Sequence, residues 1–380
     1  MTQTLSPAPT TSDQDLAARP APARRTPRPW VPRHVLVTRS AAERPHTAEV
    51  LRRCEAAGVT DVRMLTSDRI TGLSEGSERE VYARAKATMA LVVAPPSVLK
   101  PQPIPPSADW RLDLARGCPA HCQYCYLAGS LSGPPITRVH ANLEDVLAGI
   151  DTHVGRGGVT SGTDARGHEG TTFELSCYTD PLGLEHLTGS LGAAIARVGR
   201  GEHGDASLRF TTKYAGVDEL LDLPHGGRTR MRASVNVDEV ADRFEGGTAP
   251  VAARLAALRR MALAGYPVGL TVAPVMPVDG WQTSYAGLLD AAAAATADVP
   301  GLDLTVELIT HRFTPASKEV LTGWYPRTRL EMDESQRAEK RTKFGGVKHV
   351  YPRETMAEMK AWFTDAVAER LPGAPLLYWT

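Results

Sequence analysis

Cys118, Cys122 and Cys125 fall within the stretch from Arg116 to Leu127 in a C-x3-C-x2-C spacing. Three thiolates this close can hold an iron–sulfur cube by three of its irons and leave the fourth without a protein ligand. An iron left open in this way is a site where a small chelating molecule can bind. A single tetrahedral zinc would need a fourth ligand, and His121 is the nearest candidate. His121 is adjacent to Cys122, an awkward geometry for one ion, so the spacing favours a [4Fe–4S] cluster. Three cysteines buried with no cofactor is a poor alternative in a chain that has five in all. The other two are Cys54 and Cys177. An odd number with no secretion signal points to a reducing compartment, the cytoplasm, rather than to disulfides.

These residues need elements to position them. Candidate strands are 110–116, 171–177, 207–213, 229–236, 267–275 and 303–310. Candidate helices are 142–153, 185–199, 216–221, 249–264 and 283–297. Strands that alternate with helices imply parallel pairing through right-handed crossovers. The expected fold class is therefore α/β, a partial (β/α)6 barrel of the TIM type spanning 110–312. Functional groups in such barrels gather at the C-terminal ends of the strands. The cysteine loop follows the first predicted strand. Cys177 ends the second, Lys213 ends the third and Ser234 lies near the end of the fourth.

Ahead of the barrel, residues 34–38 read as a strand. Residues 42–56 read as a helix with Val50, Leu51 and Cys54 on one face, which makes Cys54 core. A short strand near 61–65, a helix near 77–88 and the apolar run 89–94 complete a small α/β unit over 33–95. Six prolines between 95 and 106 predict an extended linker, 96–109. Residues 1–32 are rich in Pro, Ala, Thr and Arg and bury too little surface to order, so a disordered tail is expected. Residues 155–170 read as a Gly-rich flexible insertion and 201–206 as a short loop. Lys+Arg and Asp+Glu both number 43. Overall neutrality does not exclude nucleic acid, because a local patch is sufficient. No run of about 18 apolar residues is present, so no membrane span is expected.

Several of these stretches carry a resemblance. An aromatic before the last cysteine, here Tyr124, is usual in radical SAM loops. Five separated segments in order resemble the spore photoproduct lyase family. They are the cysteine loop with Tyr126-Leu127, the stretch Phe173 to Thr188, Thr212-Lys213-Tyr214, Arg232 to Asn236, and Arg341 to Phe344. The resemblance runs from about residue 35 to the C-terminus. It implies a radical SAM enzyme that reverts the thymine dimer of spore DNA to two thymines by way of a 5′-deoxyadenosyl radical. The cofactors it implies are a [4Fe–4S] cluster and S-adenosyl-L-methionine (SAM), which chelates the open iron. A thiol S–H is weak enough to give a hydrogen atom to a carbon radical, and the resemblance assigns that step to Cys177. It makes Tyr124 and Tyr126 a relay that returns hydrogen toward the adenosyl group. It makes Lys213, Ser234 and Thr179 contacts of SAM, whose carboxylate wants a cation and whose ribose wants polar oxygens. Thr179 stands where the family usually has Ser, and Tyr178 where it usually has Thr. The bulk of Tyr178 beside the hydrogen donor leaves open a family member that acts on a different nucleic-acid lesion. A non-enzymatic iron–sulfur or zinc protein that binds nucleic acid is a further alternative.

The implied partners are damaged DNA and a one-electron donor of the flavodoxin or ferredoxin type. The segment from Trp324 to Tyr351 carries Arg327, Arg329, Arg337, Lys340, Arg341, Lys343 and Lys348, interleaved with Trp324, Tyr325, Phe344 and Tyr351. Cations for phosphates and aromatic faces for bases make a DNA-binding composition. Within it Arg337, Arg341, Lys343, Lys348 and Tyr351 are the candidate DNA contacts. Glu331, Asp333, Glu334 and Glu339 offset much of the charge, so a solvated face is the competing reading. A thymine dimer inside a duplex would have to be turned out of the stack to be reached. Residues 354–370 predict a closing amphipathic helix, and 313–380 form the C-terminal segment.

Overall fold

A computed structural model describes residues 28–129, 133–158, 160, 163–164, 166–341 and 345–380. Most of the expected tail, residues 1–27, lies outside the described residues. Trp30, just after it, is anchored to the fold. Its indole N–H donates to the Lys86 carbonyl at 3.2 Å, and His186 bonds the Trp30 carbonyl at 2.9 Å.

The N-terminal unit alternates β1 (His34–Val37), α1 (Arg39–Ala42), α2 (Pro45–Ala56), β2 (Val62–Met64), α3 (Glu78–Lys86) and β3 (Thr88–Val92). β1 lies between β2 and β3, parallel to both. Ser77 and Glu80 close a capping box that starts α3. Cys54 is fully buried in the core with Val35, Val37 and Leu91, as its helical spacing predicts.

This sheet does not end at residue 95. The chain continues through α4 (Pro96–Leu99), β4 (Gln102–Ile104), β5 (Ala108–Leu112), β6 (Ala115–Arg116), β7 (His121–Cys122) and β8 (Thr137–His140). β8 adds to β3, and β6 pairs antiparallel with β8, so both return to the first sheet. The stretch expected as an extended linker is instead folded. Pro96 sits in the first turn of α4, where a missing N–H costs little, and β4 is an edge strand that tolerates Pro103. The expected strand 110–116 divides, with β5 in the barrel and β6 in the N-terminal sheet. The two sheets are thus stitched together immediately before Cys118.

The barrel wall comprises α5 (Leu143–His153), β9 (Thr171–Leu175), α6 (Leu182–Thr188), α7 (Ser190–Gly199), β10 (Ala206–Thr212), β11 (Thr229–Val235), α8 (Asp238–Phe244), β12 (Glu245–Gly246), α9 (Val251–Leu263), β13 (Val268–Val275), α10 (Trp281–Thr296) and β14 (Leu304–Thr310). The C-terminal part holds α11 (Pro315–Trp324), the hairpin β15 (Ala338–Arg341) and β16 (Val347–Val350), α12 (Arg353–Arg370) and β17 (Leu376–Trp379). The large sheet runs β17-β14-β13-β11-β10-β9-β5-β4. All neighbours in it are parallel except the pair β4–β5. The six expected parallel strands are its centre. The expected helix 185–199 is two helices, α6 and α7, meeting at Gly189 with φ 63°. Residues 216–221 contain one 3-10 turn, Asp218–Leu220, instead of a helix.

Strand residues alternate by face. Phe173, Leu175, Phe210, Met231 and Val306 join the core under the helices. Glu174, Arg209, Arg232 and Glu307 point inward and form an ion network. Arg209 reaches Glu307 at 2.6 Å, Arg232 reaches Glu307 at 2.5 Å, and Arg232 also binds Glu174. β10 and β14 are separated by two strands, so the Arg209–Glu307 contact requires the sheet to curl. The residues described between 155 and 170 lie at the other end from the cysteine loop. The amide of Gly158 and the amide and hydroxyl of Thr160 all donate to Asp109 at the start of β5. No helix among the described residues is long and apolar enough to cross a membrane.

Candidate functional site

Gly117 turns the chain into the cysteine loop with φ 84°. A Cβ there would stand 2.2 Å from the Ile136 carbonyl oxygen, so only glycine fits. Its amide donates to Tyr178 O at 2.9 Å, which ties the loop to the end of β9. β7 then pairs antiparallel with β12, with Cys122 opposite Glu245. The three loop cysteines are free thiols. The backbone N–H of Ala120 points at the Cys118 sulfur, and those of Leu127 and Ala128 point at the Cys125 sulfur. Such donors stabilise thiolates. Without a metal, burial pushes the Cys118 thiol up to about 11. A bound cation reverses that balance. Among the described residues, no three His, Cys, Asp or Glu side chains converge on one ion. A cube does not ask for that, because each thiolate takes a different iron. The His121 ring is turned to Tyr82, whose hydroxyl meets Nδ1 at 2.9 Å.

Beside the loop, Lys213 gathers polar groups from three strands. Its Nζ donates to Ser234 Oγ at 2.9 Å, to Glu245 Oε1 at 3.0 Å and to the Ala273 carbonyl at 3.1 Å. It also stands 5.6 Å from the centre of the Tyr124 ring. The Tyr124 hydroxyl donates to the same Glu245 oxygen. On its other side Glu245 accepts from Arg254, which is fully buried and also bonds the Ser234 carbonyl at 2.8 Å. Burial alone pushes the Glu245 carboxyl up, but the Lys213 and Arg254 charges overcome it and hold the group at about 2. Asp180 fixes the start of this cradle. Its carboxylate accepts from the Thr212 hydroxyl and the Lys213 amide, both at 2.7 Å.

Cys177 follows β9 on the same rim. The residue before it, Ser176, has φ 59°, a left-handed conformation that few non-glycine residues adopt. It is held there by its amide to Leu112 O at 2.6 Å and by Leu114 N to its Oγ at 3.0 Å. Burial first, with Glu174 and Asp113 nearby, pushes the Cys177 thiol well above its ordinary range, so it keeps its proton at neutral pH. Tyr126 is 66% exposed at the mouth, and its hydroxyl donates to Cys177 O at 3.1 Å. Tyr178 lies beneath two cations. Arg111 is 4.7 Å and Arg116 is 5.1 Å from the ring centre, and Arg111 also donates to its hydroxyl at 2.7 Å.

The structure thus brings Tyr124, Lys213 and Ser234 together, and joins Tyr126 to Cys177. Thr179 is not brought into either group. Its hydroxyl is buried with no hydrogen-bond partner, and the residue borders a gap lined by Leu114, Leu184 and Leu191. Glu245, Arg254, Ala273 and Asp180 were not singled out as site residues by sequence reasoning. Asp180 lies within the stretch Phe173 to Thr188 that carries the resemblance, whereas nothing local marks Arg254.

The basic segment is only partly available to a ligand. Arg337 is 8% exposed and pairs with Glu331. It also donates to His311 O at 3.2 Å and lies 3.8 Å from the Tyr351 ring centre. The fold therefore uses the Arg337 charge internally, which corrects the expectation for that residue, and lays it on one face of the half-buried Tyr351. Trp324 and Tyr325 pack on the N-terminal unit. Trp324 stacks on Tyr82 at 4.8 Å, and Tyr325 shares a hydrogen bond with its hydroxyl. Arg327, Arg329, Lys340 and Arg341 are exposed. Lys340 and Lys348 face each other across β15–β16. Burial, then the charges of Arg312 and Lys340, lowers the Lys348 ammonium from its ordinary range. Lys343 and Phe344 lie outside the described residues.

A protein-family model described as Spore photoproduct lyase matches residues 30–380. The chain is 38% identical over 354 residues to a spore photoproduct lyase of Geobacillus sp. (strain Y412MC61), covering 93% of this chain and 100% of that protein. It is 35% identical to the spore photoproduct lyase of Bacillus subtilis (strain 168), covering 93% and 99%. Among solved structures, a spore photoproduct lyase variant with bound AdoMet and dinucleoside spore photoproduct aligns with a TM-score of 0.84 at 36% identity, over 93% of this chain and all of that one. The match reaches across both sheets, the cysteine loop and the hairpin: the chain belongs to the spore photoproduct lyase family.

Proposed function

We propose that the chain is a radical SAM DNA-repair lyase that reverts the spore photoproduct, 5-thyminyl-5,6-dihydrothymine, to two thymines. What carries this reading is the hydrogen bond from the Tyr126 hydroxyl to the Cys177 backbone carbonyl, which places the cysteine loop beside the residue whose thiol burial keeps protonated. The relatives support it, since solved members of the family hold AdoMet and the dinucleoside lesion.

In this reading Cys118, Cys122 and Cys125 hold a [4Fe–4S] cluster, and the backbone donors at Cys118 and Cys125 suit thiolate ligands. When bound, the cluster and SAM supply a 5′-deoxyadenosyl radical. Lys213 meets the SAM carboxylate, and Ser234 with the Ala273 carbonyl meets its other polar groups. Glu245 holds Lys213 in place, and Tyr124 is fixed to the same carboxylate. Cys177 gives a hydrogen atom to the thymine radical, for which it must be S–H and not thiolate. The Cys177 thiyl left behind would regain its hydrogen through Tyr126 and Tyr124 from 5′-deoxyadenosine, which would restore the adenosyl radical from which SAM reforms. Lys340, Arg341 and Lys348 of the hairpin contact phosphates of the damaged strand, with Lys343 beside them in the sequence. A flavodoxin or ferredoxin delivers the electron.

The test is anaerobic incubation of the reconstituted chain with SAM, reductant and an oligonucleotide carrying the spore lesion. Mass analysis is expected to find the lesion converted to thymines and the SAM recovered. Formation of 5′-deoxyadenosine with the lesion intact would point to a different substrate.

A further inference from the structure

Lys86 is the last residue of α3 and comes from the N-terminal unit, yet its charge is delivered to the cysteine loop. It is 9% exposed. Its ammonium donates to the backbone carbonyls of Cys118 and Ala120. Burial lowers its ammonium from the ordinary range and the nearby Cys118, Cys125 and Cys122 oppose that, while no carboxylate forms an ion pair with it among the described residues. The nitrogen also lies 6.0 Å from the centre of the Tyr82 ring, and Tyr82 bonds His121 of the same loop. A buried cation without an acid is costly, and folds keep one where something else supplies the negative charge.

We propose that Lys86 is a positioning residue for the iron–sulfur site, clamping the cysteine loop and offsetting the charge of the cluster-loaded thiolates. The inference rests on the proposed cluster at Cys118, Cys122 and Cys125. By holding the carbonyls of Cys118 and Ala120, Lys86 turns those oxygens toward itself, while the Ala120 N–H faces the Cys118 sulfur. A fixed positive charge near a cluster also favours the reduced, more negative form, because net charge and hydrogen bonding tune such potentials. The N-terminal unit would then be a working part of the redox site rather than an appendage.

The test compares the full-length wild type with Lys86→Met, Lys86→Gln and Lys86→Arg. Each is reconstituted anaerobically, assayed for iron and sulfide, and titrated by electron paramagnetic resonance at fixed solution potentials. The expected result for Met and Gln is lower iron content, or full iron with a ratio of reduced to oxidised cluster lower on the order of tenfold. Arg, which keeps charge and donors, is expected to restore both. Unchanged iron content and potential in Lys86→Met would overturn the proposal. So would Met and Gln variants that are already unfolded before iron is added, since Lys86 would then serve folding alone. A wild type that takes up no iron sinks the cluster reading itself, and the clamp with it.

Discussion

At the scale of single residues, the site depends on which groups keep their protons. As the proposed hydrogen-atom donor Cys177 must retain S–H, and its burial beside Glu174 and Asp113 favours that form. Cys177→Ala is expected to leave 5′-deoxyadenosine formation intact while clean thymine falls by at least about tenfold, one unit on a logarithmic rate scale. Product analysis by mass spectrometry decides it, and undiminished thymine from the variant removes Cys177 from the donor role. Glu245 must do the opposite and stay ionised between two cations. Glu245→Gln leaves Lys213 and Arg254 without their shared carboxylate, and breaking a buried pair in this way costs about 3–5 kcal/mol. A denaturant midpoint within error of the wild type would contradict that. The two residues differ in how readable they are. Cys177 ends a predicted strand inside one of the segments that carry the family resemblance, and that resemblance names its chemistry. Glu245 meets Tyr124 from 121 positions away and Arg254 through a loop, and no periodicity encodes either contact.

Elements were legible where their pattern is local. The six central barrel strands alternate apolar and polar residues because one face packs under helices and the other lines a polar interior, and that alternation is written in the chain. The division of 110–116 was not legible, since the choice between sheets depends on β8 arriving beside β3 and β6. Arg337, just before the hairpin, was not legible for a related reason. Composition makes the segment basic, but only the fold reveals that Arg337 turns inward to Glu331. The break between β6 and the cysteine loop gives a sharp test of how elements place the site. Gly117→Ala puts a Cβ against a backbone carbonyl at a positive φ, and neither can yield without moving β8. The expected outcome is destabilisation of more than about 1 kcal/mol and reduced iron uptake after reconstitution. A variant with full iron and an unchanged thermal midpoint would show that the loop has another conformation open to it.

For the whole molecule, neutrality of net charge hides buried groups whose protonation binds the two sheets to pH. His140, on β8 of the N-terminal sheet, bonds the Asp113 carbonyl through Nδ1 at 2.7 Å, and burial, with Arg116 nearby, holds it at about 4. His311, just after β14 of the barrel, is held at about 3 by burial and by the charge of Arg337. Both are neutral in the folded chain. An unfolded histidine takes its proton near pH 6.5, so below that the unfolded chain binds more protons than the folded one. The stability contributed by keeping them neutral is therefore present above pH 6.5 and is lost as pH falls toward 4. Glu245 extends the same trend downward. Its folded value near 2 lies below the ordinary 4.5, so its contribution is lost between those limits. Urea titrations of the metal-free chain are expected to show midpoints that hold steady above pH 7 and drop progressively from pH 6.5 to 4, by several kcal/mol in total as an order of magnitude. His140→Gln combined with His311→Asn should flatten the upper part of that descent while leaving the part below pH 4.5. Glu185, raised to about 7 by burial, works against this trend, so the comparison with the wild type decides: a double variant that loses stability as steeply as the wild type between pH 6.5 and 4 would mean that neither histidine is held neutral by its surroundings.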